Sequence, residues 1–244
     1  MSLVTFSELR TAAYCPRKCY YSRQRDHRET PSEVEEIRRL ATRYDEVLES
    51  SIDGDSSEKS STDGGSSEKG SIEAGSIGPI ATDRDTYVRT LCKTRNRLEA
   101  IGRWEGLVTP ADRNRLVAGK DCRGIVHKVL QDPLEPSILS TGRPPDRGVW
   151  EPQSVHAVAA AKALAWERSE PIERAWIEYP AYGIIRSVSL TTRRSARYRR
   201  AVRTVRELDG PPQRTVDRSK CESCTFADKC GVRTRTLRSL LGFG

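Results

Sequence analysis

Hydrophobic positions fall along this chain in two different rhythms. Up to about residue 118 the spacing is helical. Ser7 is placed to cap a short helix from Glu8 to Tyr14, with Phe6 before it as an apolar staple, and that helix delivers Cys15. A second helix is expected from Ser32 or Glu33 to Leu48. A third runs from Asp85 to about Trp104, where Tyr87, Leu91, Leu98 and Ile101 recur at near-helical spacing. From Cys122 the pattern changes. Gly124 to Leu130 and Ser137 to Ser140 read as strands, the second following Pro133 and Pro136. An alanine-rich helix is expected from Ser154 to Glu167, with Val155, Val158, Ala159 and Leu164 toward a sheet. Ala175 to Tyr182 and Ile184 to Leu190 then suit an antiparallel hairpin around Gly183. A last helix from Ser195 to Leu208 sets Tyr198, Ala201, Val202, Val205 and Leu208 on one face and Arg199, Arg203 and Arg206 largely on the other.

Between Ser50 and Gly78 the periodicity disappears. Six acidic residues and two lysines sit among Ser and Gly, and Ser56-Ser57-Glu58-Lys59 is echoed as Ser66-Ser67-Glu68-Lys69. So little apolar content does not repay the entropy of ordering, which predicts a disordered acidic insertion that stays away from nucleic acid. The organisation expected is a helical subdomain over 1–49 and 79–118, the insertion over 50–78, an α/β core over 119–210, and a cysteine and basic segment over 211–244.

Charge and cysteine usage sharpen this outline. The formal net charge is +8, yet Ile184 to Gly244 holds fifteen Lys and Arg against five Asp and Glu, so the C-terminal quarter carries the basic character. Such a concentration is the footprint of a phosphate-backbone binder, and Arg199, Arg203 and Arg206 are the candidate contacts. Seven cysteines, with no apolar signal segment and no membrane-spanning run, suit a soluble protein of a reducing, cytoplasmic compartment. Thiols there bind metal more often than they pair. Cys15 near one end and Cys221-x2-Cys224-x5-Cys230 near the other supply four soft ligands for zinc or an iron–sulfur cluster, with Cys19, one helical turn after Cys15, as a possible substitute. Whatever they bind ties the two ends of the fold together.

Phe6-Ser7-Glu8-Leu9 leading into Tyr14-Cys15-Pro16-Arg17-Lys18, the order strand, strand, helix, hairpin, helix, and the closing cysteine trio together resemble the CRISPR-associated iron–sulfur exonuclease family, the fourth of the Cas proteins. That family is akin to the RecB and Dna2 nuclease domains of the PD-(D/E)XK superfamily. The resemblance covers the chain apart from the acidic insertion. It implies an α/β fold with a PD-(D/E)XK (restriction-endonuclease-like) core, a helical subdomain and a cysteine cluster lid. It further implies a four-iron, four-sulfur (4Fe-4S) cluster on Cys15, Cys221, Cys224 and Cys230, with Cys19 a bystander, and single-stranded DNA and CRISPR adaptation proteins as partners.

The same resemblance exposes a departure at the catalytic centre. In the family an Asp follows Gly-x-x on the first core strand and a Glu-x-Lys lies on the next, holding Mg²⁺ or Mn²⁺ that activates water. Here Gly124-x-x leads to His127, and Ile138 and Ser140 stand where Glu and Lys belong; Gln153 is followed at the fourth position by Ala157 instead of Tyr. His127, alone or with His156, is a candidate ligand for a softer metal. Three readings follow: a nuclease-fold DNA-binding protein without catalysis, an active exonuclease in which Asp132, Glu135 or Asp146 has taken over the missing role, and a redox-sensing regulator built on the cysteines.

Overall fold

A computed structural model describes residues 2–25, 31–55 and 79–231. Its centre is a mixed sheet of six strands: β1 (Val4–Thr5), β2 (Asp112–Ala118), β3 (Cys122–Leu130), β4 (Glu135–Leu139), β5 (Arg174–Tyr179) and β6 (Ile184–Ser189). β2, β3 and β4 form an antiparallel meander, with Leu116 opposite Ile125 and Lys128 opposite Ser137. β1 lies parallel to the start of β3, pairing Val4 with Cys122. β4 and β5 are parallel, and β5 and β6 form the antiparallel pair expected around Gly183. The fold is therefore α/β, as the change of period predicts. Two strands had no counterpart in the sequence reading: β1, two residues long, and β2, whose Arg and Asn positions hide its alternation.

Helix α1 (Phe6–Tyr14) starts two residues earlier than expected, because Thr5 and Glu8 form the capping box: the Glu8 amide donates to Thr5 Oγ1 and the Thr5 amide to Glu8 Oε2 at 2.8 Å. α2 (Pro16–Arg23) follows after Cys15. The single helix expected over 32–48 is two, α3 (Ser32–Leu40) and α4 (Tyr44–Asp55), the second running into the segment read as insertion. The break forms where the Thr42 side chain and amide both donate to the Arg39 carbonyl, closing a tight turn. Residues 56–78, the rest of that segment, lie outside the described residues. α5 (Arg84–Glu99) is capped by Asp83 and stops at Gly102, whose φ of +62° suits glycine; Ile101 thus falls beyond the helix and is half exposed. α6 (Trp104–Val108) completes the helical layer.

Two apolar cores flank the sheet. One packs α1, α7 (Glu151–Arg168) and α8 (Thr192–Arg206) against it, and the other packs α4, α5 and α6 beside Leu130, Trp176 and Ile185. α7 is the parallel crossover between β4 and β5. Its alanines 157, 159, 160, 161 and 163 are all buried, because side chains this small let the helix touch sheet, α1 and α8 at once. The face of α8 expected to pack does so through Tyr198, Ala201, Val202 and Val205. A short α9 (Ser219–Glu222) carries Cys221. Among the described residues no helix is long and apolar enough to cross a membrane.

Candidate nucleic-acid interface and cysteine site

Gly124 is where the candidate site begins. A Cβ there would lie 2.3 Å from the Phe6 ring, so only glycine lets α1 settle onto β3. This contact brings Arg10 of α1 and His156 of α7 next to His127, with the Phe6 and His156 rings 5.7 Å apart. They open on a cavity of about 780 Å³ walled by α1, α3 and the β2–β3 ribbon. Five arginines line it: Arg10, Arg38, Arg39, Arg113 and Arg123. Glu35 is the one carboxylate among the described lining residues. Leu116 and Ile125, a cross-strand pair 67% and 50% exposed, add an apolar rim.

His127 Nδ1 accepts a hydrogen bond from the Leu139 amide at 3.3 Å, which leaves the ring proton on Nε2 as a donor. Burial, then Arg38, Arg10 and Lys128, push its pKa down to about 4. His156 is held well below its ordinary range by burial, with Arg10 and His127 adding to the effect. Both imidazoles are thus neutral near pH 7. Lys128 lines the cavity by its stem, but its ammonium points away: it donates to the Ala41 and Leu107 carbonyls and pairs with Glu178 at 2.8 Å, and Glu178 also accepts from Ser137 at 2.6 Å. That network is fully bonded inside the protein and ties the helical layer to the sheet.

Two further positions singled out in the sequence, Ile138 and Ser140, do not line the cavity. Ile138 is 1% exposed within the first core, and Ser140 is buried with its amide on the Glu178 carbonyl. None of the three acids considered as replacements lines the cavity. Glu135 is buried, accepts from Trp176 Nε1 at 2.7 Å and pairs with Arg103 at 3.2 Å. Asp132 and Asp146 are exposed on the loops flanking β4, and their carbonyls accept from Arg103 and Arg186.

Cys15, Cys221, Cys224 and Cys230 all line one small cavity of about 20 Å³, together with Arg17, Lys18, Arg214 and Lys220. No set of three or more His, Cys, Asp or Glu side chains among the described residues stands close enough to grip an ion, so the thiols are gathered but not clasped. Burial, followed by the charges of Cys230, Cys15 and Cys224, raises the pKa of Cys221; a cation bound among them relieves that repulsion. The donor set fits a thiophilic metal, and the basic rim suits the net negative charge of a tetrathiolate centre. Tyr14 donates to the Lys220 carbonyl, Arg17 to that of Pro212 and Tyr21 to that of Lys229, so the chain's two ends are also joined by direct bonds. Cys19 is elsewhere: buried, its thiol directed at the Glu8 carbonyl, with burial raising its pKa to about 11. Cys122 is likewise buried against Tyr198, and Cys92 is exposed.

Arg199, Arg203 and Arg206 are exposed on the outer face of α8, and none of them lines the arginine cavity. Arg206 pairs with Asp121 at 3.0 Å and borders a separate hollow with Ser2, Leu3 and Arg23. The arginines that do converge come from four elements, with no local cluster in sequence to reveal them. The one signal was indirect: Gly124-x-x-His127 marked the strand on which they meet. Neither a protein-family model nor a curated protein sequence matches this chain.

Proposed function

We propose that this protein is a nuclease-fold DNA-binding protein of the RecB and Dna2 kind, in which a phosphate-binding cavity has replaced the metal-dependent catalytic centre. The order expected of a PD-(D/E)XK core is the order found from β3 to α8, namely strand, strand, helix, hairpin, helix. The observation that carries the functional reading is the lining of the cavity: five arginines and two neutral histidines against Glu35. Hard divalent cations need several oxygen ligands, and arginines repel them. Phosphate oxygens suit the same lining, because guanidinium forks bind them bidentately and His127 Nε2 adds a neutral donor. Cys15, Cys221, Cys224 and Cys230 would hold an iron–sulfur cluster, or zinc, as a structural centre that supplies folding energy at the junction of the two ends.

The test is direct. Anaerobically purified protein is mixed with end-labelled single-stranded DNA and Mg²⁺ or Mn²⁺. It should bind the DNA and leave it uncut, and the double variant Arg38→Glu, Arg39→Glu should bind far more weakly. Metal-dependent cleavage that disappears in Glu35→Ala or Glu135→Ala would overturn the non-catalytic reading.

A further inference from the structure

A second hollow, of about 690 Å³, continues from the arginine cavity along α1. Arg10 lines both. At its far end Tyr14, Lys18 and Lys220 are shared with the cysteine cavity, so three adjoining hollows line α1 from β3 to the cysteine segment. The cations of the second are crowded: the Lys18 and Lys220 ammoniums lie 5.1 and 5.3 Å from the same Tyr14 ring. Its acids are engaged within the protein, Glu151 with Arg197 at 3.1 Å, and Asp217 with Ser219 at 2.6 Å and more loosely with Lys220 at 3.9 Å.

One wall of this groove is Trp150, the residue before α7. It is 50% exposed, and its indole N–H donates to the Arg143 carbonyl at 2.8 Å, which fixes the ring before any ligand arrives. Beside it Gln153 Oε1 is buried with no hydrogen-bond partner among the described residues. Positive rim and preset aromatic face are two parts of a single-strand site: backbone tracking and base stacking.

We infer that a single DNA strand leaves the arginine cavity along α1, passes between Lys18 and Lys220, and stacks one base on Trp150. This rests on the DNA-binding reading above and adds the path of the strand and the base contact at Trp150. Duplex DNA keeps its bases inside the helix and has none to give to Trp150, so the groove selects single strands.

The experiment is a titration of the full-length protein with single-stranded oligothymidylate, following anisotropy of the labelled DNA and tryptophan fluorescence. Trp150→Ala should weaken binding roughly 5- to 150-fold, the range of one lost base–aromatic stack. Trp150→Phe also loses the bond to Arg143 but keeps a ring, and should retain most of the affinity. Quenching by DNA should persist in Trp166→Phe, in which Trp150 is the one remaining exposed tryptophan, because Trp104 and Trp176 are buried. Lys18→Gln and Lys220→Gln should each lower the log–log salt slope by about 0.7. Failure of the unaltered protein to bind oligothymidylate overturns the DNA-binding reading itself. Three results overturn the path alone: undiminished binding by Trp150→Ala, loss of quenching in Trp166→Phe, or duplex bound as tightly as single strand.

Discussion

Replacing His127 by Asn tests the electrostatics of the cavity at the strand that floors it. The imidazole takes up a proton at its ordinary value of 6.5 when unfolded, but near 4 when folded, because burial and the charges of Arg38, Arg10 and Lys128 oppose it. Between those values the unfolded chain binds more protons, so stability rises with pH, and acid removes it from about pH 6.5 down to about pH 4. The whole gap corresponds to about 3 kcal/mol at 1.36 kcal/mol per pKa unit, and about 2.5 kcal/mol of it is lost by pH 4.5. Asn keeps an acceptor for the Leu139 amide in its Oδ1 but does not titrate. Urea unfolding near neutral pH should therefore find the two proteins within about 1 kcal/mol of each other, the usual worth of one such hydrogen bond. At about pH 4.5 the variant should be the more stable by ~2 kcal/mol, His156 and the carboxylates cancelling in the comparison. Parallel stability curves for the two proteins from neutral pH to acid would refute the account, in which burial and then the neighbouring cations oppose protonation of His127.

Lys128→Met should lower stability by about 3–5 kcal/mol, because it leaves Glu178 buried at 0% exposure without its cation. Adding Glu178→Gln should recover most of that loss, and denaturant midpoints decide. Cys221→Ser should abolish metal binding, seen as lost visible absorption or lost zinc, and should raise hydrogen exchange in α1 and α2, because Tyr14, Arg17 and Tyr21 all bond to carbonyls of the segment that cysteine anchors. Reversing Arg199 and Arg203 to Glu should reduce DNA affinity only through long-range charge, several-fold less than reversing Arg38 and Arg39. An equal or larger loss, in gel-shift or anisotropy titrations, would return the interface to α8.

The core was legible because its periods are strong. β3, α7, the β5–β6 pair and the apolar face of α8 follow directly from alternation, alanine content and turn residues. β2 was not, because an edge strand exposed on one side carries Arg113, Asn114 and Arg115 in a row, and nothing apolar marks it until Leu116. The helix break at residues 41–43 was hidden for a related reason: Thr42 turns the chain with a bond to the Arg39 carbonyl, and the apolar spacing continues across it. The four thiols announced themselves by spacing, and the fold does bring them to one cavity. The arginine cavity gave no such notice. Arg10, Arg38, Arg113 and Arg123 are spread over more than a hundred residues, and tertiary packing, such as that of Phe6 on Gly124, makes them neighbours. Net charge along the sequence drew attention to the C-terminal quarter, since a running balance registers density and not convergence.

Convergence of this kind is itself informative about function. Cations turned toward one cavity repel each other, and the repulsion is visible in His127, whose proton affinity falls partly because Arg38 and Arg10 stand beside it. Elsewhere the protein disperses such charge: Arg95 meets Glu99, Arg115 meets both Asp112 and Glu167, and buried Lys128 meets Glu178. Acids were therefore available to the fold, and ion pairs are its ordinary solution for arginine. At the cavity five guanidiniums converge with Glu35 as the one carboxylate among the described lining residues, and His127 of β3 stands beside them. A surface on which cations outnumber acids in this way gains from an anion that arrives there. A polyanion satisfies several guanidiniums at once, and the groove that leads out along α1 gives its chain somewhere to continue.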